Sequence, residues 1–255
     1  MDHCEKPLEV VGKGATATIY RDGGRAIKRY ENESLASVER EAEMQSFAHA
    51  AGLPVPKVWS VRKAGERAIL LEMDYVPGAP LLRTDMDRDA QILAFRALVG
   101  LQCKVHAVSA EGLLKQSERL AWRIQRSPDL DESLKARLLV RLRQLDDGSA
   151  RLCHGDFHPL NVLDDGHRLW IIDWVDATAG SPLADACRSY LIIKQYQAPA
   201  AETYLQLFCE ASGAIPERVL DWLPVLAAAR LSESMDPPAR DFLKALAAEC
   251  PAMDS

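Results

Sequence analysis

The sequence predicts an α+β fold in two lobes: a small antiparallel β-sheet lobe carrying one helix, then a larger and mostly helical lobe. Three observations predict it. Up to about residue 76 the chain reads as short strands broken by one helical stretch. Pro77-Gly78-Ala79-Pro80 then cannot continue a sheet. Beyond it, apolar residues recur at helical spacing, with a single strand-like interruption over 151–175. The expected division is therefore 1–76 and 77–255.

The elements follow in order. Leu8-Glu9-Val10-Val11 runs into Gly12-Lys13-Gly14, and Thr16 to Tyr20 is β-branched and aromatic. Asp22-Gly23-Gly24 is a hairpin turn, and Arg25 to Tyr30 alternates as a strand does. Residues 34–51 have helical spacing, with Leu35, Val38, Ala42, Phe47 and Ala48 on one stripe, and Gly52, Pro54 and Pro56 stop it. Val58–Val61 and Ala68–Met73 give two more strands around Gly65. Residues 86–106, 117–126 and 131–146 are helical, and Leu169-Trp170-Ile171-Ile172 is an apolar strand run. After Pro182 the pattern is helical nearly to the end.

Bulk composition excludes several classes. A chain of 255 residues buries a core of real size, and 48% hydrophobic with 27% charged residues is ordinary for a globular protein. A net charge of −6 argues against a nucleic-acid partner. No run of 18 apolar residues predicts a membrane span, and Met1-Asp2-His3-Cys4-Glu5 is not a signal-peptide start. Six scattered cysteines (Cys4, Cys103, Cys153, Cys187, Cys209 and Cys250) lack a Cys-x-x-Cys spacing. They read as small buried apolar residues in a reducing cytoplasm.

The densest chemistry lies in His154-Gly155-Asp156-Phe157-His158-Pro159-Leu160-Asn161 and Ile171-Ile172-Asp173-Trp174. Phosphoryl transfer needs a carboxylate near the acceptor hydroxyl and oxygen ligands that hold Mg²⁺ against phosphates. A loop supplies a carboxylate and an amide oxygen when they stand about five residues apart, as Asp156 and Asn161 do. A second carboxylate must come from the next strand, and Asp173 ends the apolar run there. Gly12 and Gly14, in the stretch that continues through Thr16, let backbone N–H groups approach phosphate oxygens. Lys28, in Ala26-Ile27-Lys28 on the following strand, fits a contact to the α- and β-phosphates.

These segments resemble the catalytic loop and its continuation in the aminoglycoside phosphotransferase and choline kinase family, where His-Gly-Asp replaces the His-Arg-Asp of protein kinases. The resemblance runs from about Val11 to Arg188 and implies the two-lobed protein kinase-like fold. It implies Asp156 as catalytic base, Asn161 and Asp173 as metal ligands, and His158 as a phosphate contact. It also implies Asp185 as a structural brace under the catalytic loop, while Asp176 stays open between metal surroundings and surface. Of Glu39, Glu41 and Glu43, the family pattern Arg-Glu-Ala ahead of Leu-Pro-x-Pro selects Glu41 as partner of Lys28. Alignment on Gly78 implies the backbone carbonyl of Asp74 and the backbone N–H of Val76 as adenine contacts, with Met73 behind them. His106 reads as a packed histidine. The five tryptophans read as core or packing residues, Trp222 alone left open as a cation contact.

The implied reaction uses ATP or GTP with Mg²⁺ and a small-molecule hydroxyl acceptor. Beyond residue 197, nine acids face four bases, which favours a cationic acceptor such as an aminoglycoside or an amino alcohol. Neutral sugars or nucleosides are the alternative. A protein kinase is disfavoured, because only twelve residues separate Asp173 from Asp185 and no Ala-Pro-Glu occurs between them. A silent nucleotide-binding module is disfavoured because base, metal ligands and strand lysine are all present.

Overall fold

The structure, a computed structural model, describes residues 8–14, 16–65 and 67–251; His3, Cys4 and Ala15 lie outside them. By its contacts the chain forms two compact units. One runs to Leu81 and includes Leu160–Asp176; the other is Leu82–Pro159 with the residues from Ala177 onward.

The first unit is built on five antiparallel strands: β1 (Glu9–Lys13), β2 (Ala17–Asp22), β3 (Arg25–Tyr30), β4 (Val58–Ala64) and β5 (Ala68–Asp74), in spatial order β1-β2-β3-β5-β4. The β2–β3 connection is a two-residue hairpin in which Gly23 takes φ 57, the positive value such turns need. Alternation on β3 turns Ala26, Lys28 and Tyr30 inward. Helix α1 (Leu35–Ala50) starts at Ser34, whose side chain accepts from the Ser37 N–H, a cap worth about 1 kcal/mol. Its inward face carries Val38, Glu41, Ala42, Gln45 and Ala48. Val38 and Leu71 both belong to the core of this unit, and burying such side chains stabilises by about 1.5–3 kcal/mol each.

A second, three-stranded sheet completes this unit. β6 (Ala79–Pro80) pairs with β8 (Val162–Asp164), which pairs with β9 (Leu169–Ile171). The proline-rich segment thus leaves the first sheet, as expected, yet supplies a short edge strand to another, where a proline is tolerated. Gly78 makes this possible: a Cβ there would lie 2.8 Å from the Asp164 carbonyl oxygen. The pairing also draws 160–176 into the first unit beside the residues up to Leu81.

The second unit holds α2 (Arg88–Ala107), α3 (Gln116–Arg126), α4 (Glu132–Leu145), α5 (Pro182–Tyr196), α6 (Ala198–Ser212), α7 (Pro216–Leu220), α8 (Leu223–Arg230) and α9 (Pro237–Ala248). Strand β7 (Arg151–Cys153) pairs antiparallel with β10 (Thr178–Gly180). Asp87, Asp131 and Asp236 cap α2, α4 and α9 through their carboxylates. Residues 184–193 of α5 are all buried, so this helix is central to the unit. Cys153, Cys187 and Cys250 are buried, Cys103 and Cys209 partly so, and all five are free thiols. Among the described residues, no helix is long and apolar enough to cross a membrane.

Candidate active site

In the first unit, the inward-facing Lys28 donates to Glu41 Oε1 at 2.8 Å and to Asp173 Oδ1 at 3.0 Å. Glu41 is buried while Glu39 and Glu43 are exposed, because only Glu41 falls on the Val38–Ala42–Ala48 face of α1. The Tyr30 hydroxyl also donates to Glu41. Burial opposes the charge on Lys28, but the carboxylates of Asp173 and Glu41 outweigh it and hold the ammonium well above its usual range.

Asp173 follows β9 and has φ 67, and no other non-glycine among the described residues has a positive φ. That conformation costs an L-residue about 1–2 kcal/mol, less for aspartate, and here the ion pair to Lys28 helps fix it. Asn161 lies just ahead of β8, and its carbonyl accepts from the Ile172 N–H at 3.0 Å. The hairpin therefore brings Asn161 and Asp173 to the same end of β8–β9. Their oxygens form a hard donor set of the kind Mg²⁺ takes.

Gly12 belongs to β1 beside a bulge, and the Gly14 N–H donates to the Ala17 carbonyl as the backbone turns past Thr16 into β2. A Cβ on Gly12 would make only ordinary contact with Ile19. Asp74 ends β5, where its carboxylate accepts from the exposed Trp59 Nε1 at 2.7 Å. The Tyr75 N–H donates to the Gly24 carbonyl, and Val76 is buried just beyond.

In the second unit, Asp156 stands after β7 in a loop opened by Gly155 at φ 81. The Gly155 N–H donates to Asp185 Oδ1 at 2.7 Å, and the Asp156 N–H donates to His154 Nδ1 at 3.2 Å. Asp185 is wholly buried and also bonds His106 Nε2 at 2.8 Å and Gln102 Nε2 at 3.2 Å. Gln102 in turn accepts from the Tyr204 hydroxyl at 2.6 Å. His106 is therefore a packed, hydrogen-bonded residue, and Asp185 braces the loop. His158 Nε2 lies 3.3 Å from Asp156 Oδ2. Burial works against ionisation of Asp156, yet the His158 hydrogen bond and the Arg188 charge hold its carboxyl below the usual carboxylate range.

Two residues here carried no role in the sequence reading. Arg188 places Nη2 3.4 Å from Asp156 Oδ1, and Glu233 accepts from the same Nη2 at 2.9 Å. The available signal was the spacing of Arg188 three residues after Asp185, on the same face of α5. The tryptophans divide: Trp174 and Trp222 are buried, whereas Trp59 and Trp122 are about half exposed beneath Arg25 and Arg126. An exposure of 3% gives Trp222 no place as a cation contact.

No curated protein sequence matches this chain significantly. Among solved structures, it is similar to an aminoglycoside-3'-phosphotransferase of type VIII, with 25% identity over 88% of this chain and 92% of the other, at a TM-score of 0.63. A thermostable mutant of aminoglycoside phosphotransferase APH(4)-Ia, in a ternary complex with AMP-PNP and hygromycin B, shares the fold at a TM-score of 0.70, with 15% identity over 94% and 90% of the two chains. So does aminoglycoside phosphotransferase APH(3'')-Id from Streptomyces rimosus, in complex with ADP and streptomycin, at 0.66, with 19% identity over 89% and 93%. Residues 8–232 match the model of the phosphotransferase enzyme family, so the chain belongs to that family and is a phosphotransferase acting on a hydroxyl group.

Proposed function

We propose that this protein is an ATP- or GTP-dependent small-molecule kinase that moves the γ-phosphoryl group of the nucleotide onto a hydroxyl of a small, aminated acceptor. The observation that carries it is Lys28, a buried strand lysine held between the carboxylates of Glu41 and Asp173. A strand lysine fixed by one buried carboxylate and close to a second carboxylate beside an amide oxygen is the arrangement that phosphoryl-transfer sites place against nucleotide phosphates.

Lys28 binds the α- and β-phosphates, with Glu41 keeping its ammonium in place. The backbone of Gly12, Gly14 and Thr16 covers the phosphates, and the Asp74 carbonyl and Val76 N–H receive the base. Asn161 and Asp173 hold Mg²⁺, which supplies charge neutralisation on the phosphate oxygens when bound. Asp156 orients the acceptor hydroxyl and takes its proton; its low pKa keeps it ionised, and therefore able to accept, at neutral pH. His158 adds a phosphate contact. The aminated acceptor is supported by relatives whose structures hold hygromycin B and streptomycin.

A panel of aminoglycosides, amino alcohols, sugars and nucleosides, scored by acceptor-stimulated ADP release, tests this reading. An aminated compound should stimulate release by the wild type and not by Asp156→Ala. If the protein binds nucleotide yet no hydroxylated compound stimulates release, the kinase reading fails. A neutral best acceptor overturns only the aminated class.

A further inference from the structure

One residue of the catalytic loop is gripped on both sides by a single turn of α5. The Gly155 N–H goes to Asp185 Oδ1, and the Gly155 carbonyl accepts from Arg188 Nε at 3.1 Å. Arg188 continues past the backbone, with Nη2 between Asp156 Oδ1 and Glu233 Oε1. Glu233, in the link between α8 and α9, is itself held by Arg123 Nη1 at 3.2 Å and Arg230 Nε at 3.3 Å. Arg230 also bonds Gln195. The Arg188 side chain is 7% exposed, so it is nearly removed from water at this position.

We propose that Arg188 is a positioning residue for phosphoryl transfer, aiming the Asp156 carboxylate at the acceptor hydroxyl, and that Glu233 sets Arg188 in turn. This rests on the reading of Asp156 as the base. A guanidinium is a planar fork, so contacts from Nε to a carbonyl and from Nη2 to two carboxylates fix its plane; an ammonium has no such plane. With that plane fixed, both the Gly155 peptide and the Asp156 side chain have one preferred orientation. Asp185 reaches the loop at its backbone, through the Gly155 N–H. The two α5 residues thus act on different parts of the loop, Asp185 holding the turn and Arg188 aiming the carboxylate. Glu233 ties that aim to the α8–α9 link, 45 residues further along the sequence.

The experiment compares Arg188→Met, Arg188→Lys, Glu233→Gln, Asp156→Ala and the double variant Asp156→Ala/Arg188→Met, using the best acceptor from the panel. For each, kcat, acceptor KM, nucleotide Kd and thermal midpoint are measured. Arg188→Met should lower kcat by about 10²-fold, the cost of misplacing a reacting group by an ångström, with nucleotide Kd unchanged. Arg188→Lys should recover part of that loss, and Glu233→Gln should show a smaller drop in the same direction. The double variant should be no slower than Asp156→Ala, because nothing remains to be aimed. If Arg188→Met instead multiplies the Asp156→Ala loss by its full factor, it does not act through Asp156 and the proposal falls. It falls equally if Glu233→Gln, which keeps the arginine and the shape of its partner, has wild-type kcat; this variant decides the matter if Arg188→Met does not fold. Normal turnover by Asp156→Ala would remove the underlying reading as well, whereas wild-type kcat in Arg188→Met beside a dead Asp156→Ala removes the positioning role alone.

Discussion

The two units handle their reactive charges in opposite ways. In the first, Lys28, Glu41 and Asp173 are at once the candidate binding groups and the partners of two linked ion pairs, the Lys28–Glu41 one buried and the Lys28–Asp173 one partly so. In the second, Asp156 is supported by other residues: Asp185 under its loop, Arg188 and His158 at its carboxylate. The difference teaches where stability and activity should separate. Where the working group is also the structural ion pair, one substitution damages both. Where a separate shell does the holding, the working group can be removed and the fold kept.

The largest effect expected is on turnover in the second unit. Asp156→Ala should lose about 10²–10⁴ in kcat, the size of a general-base contribution, while nucleotide affinity stays near wild type and the thermal midpoint drops only modestly, because Arg188 keeps Glu233 as partner. Next comes the converse in the first unit. Lys28→Met leaves Glu41, whose side chain is 2% exposed, without its cation, and should destabilise the protein by about 3 kcal/mol as well as weaken nucleotide binding. Denaturant unfolding and calorimetry read the two losses. A stable Lys28→Met protein, or an unstable Asp156→Ala one, would break the contrast.

The units should also part company with pH. Burial works against the charged form of Asp185, but the His106 hydrogen bond prevails and its folded pKa lies below normal. A depressed carboxyl contributes stability that is present above the unfolded value of about 4 and lost as pH falls through the folded one. Lys28 is shifted upward, so its contribution is complete below about 10.4 and lost only as pH rises beyond that. Unfolding free energy measured across pH should therefore lose its acid-side dependence partly in Asp185→Asn and its alkaline-side dependence partly in Lys28→Met. Identical acid limbs in wild type and Asp185→Asn would refute the first assignment.

What the sequence disclosed follows the same contrast. Period two on β3 puts Lys28 beside Ala26 and Tyr30, a local signal, whereas Glu41 was singled out from Glu39 and Glu43 by the family pattern, and the burial of the Val38–Ala42 face of α1 agrees with that choice. The spacing of Asp156, Asn161 and Asp173 was legible as a loop pattern rather than a period, and element bounds such as 34–51 against Leu35–Ala50 follow from capping and period. The Asp156–Arg188–Glu233 relay was not, because its partners lie 32 and 45 residues apart with no periodic relation. Burial on every side of α5 also hides which of its faces meets the loop. The pairing of β6 with β8 depends on a glycine meeting a carbonyl more than 80 residues away, and no local pattern marks that.

Long-range partners change the charge argument too, and the smallest effect expected comes from it. Nine acids against four bases beyond residue 197 gave that segment an excess of negative charge. In the folded second unit, Glu202 pairs with Lys194, Asp221 with Arg141, and Glu233 with Arg123 and Arg188 as well as Arg230. Four of those five bases precede residue 197 and were outside the count. Asp236 is engaged as the cap of α9. The ion pairs take up three of the nine acids, while Arg240 is taken by Asp129, so an acid excess remains but is smaller than the sequence count. Steering should be weak, and contact should carry most of the recognition of an aminated acceptor. Raising ionic strength from about 0.01 to 0.15 M shortens the screening length from roughly 30 to 8 Å. Over that range kcat/KM for the best aminated acceptor should fall by only about threefold, far short of the largest steering effects of about 10³. Asp221→Asn, which frees Arg141, should leave that slope unchanged. A fall of a hundredfold would restore steering by this helical segment and show that the acids left without a partnering base outweigh the paired ones.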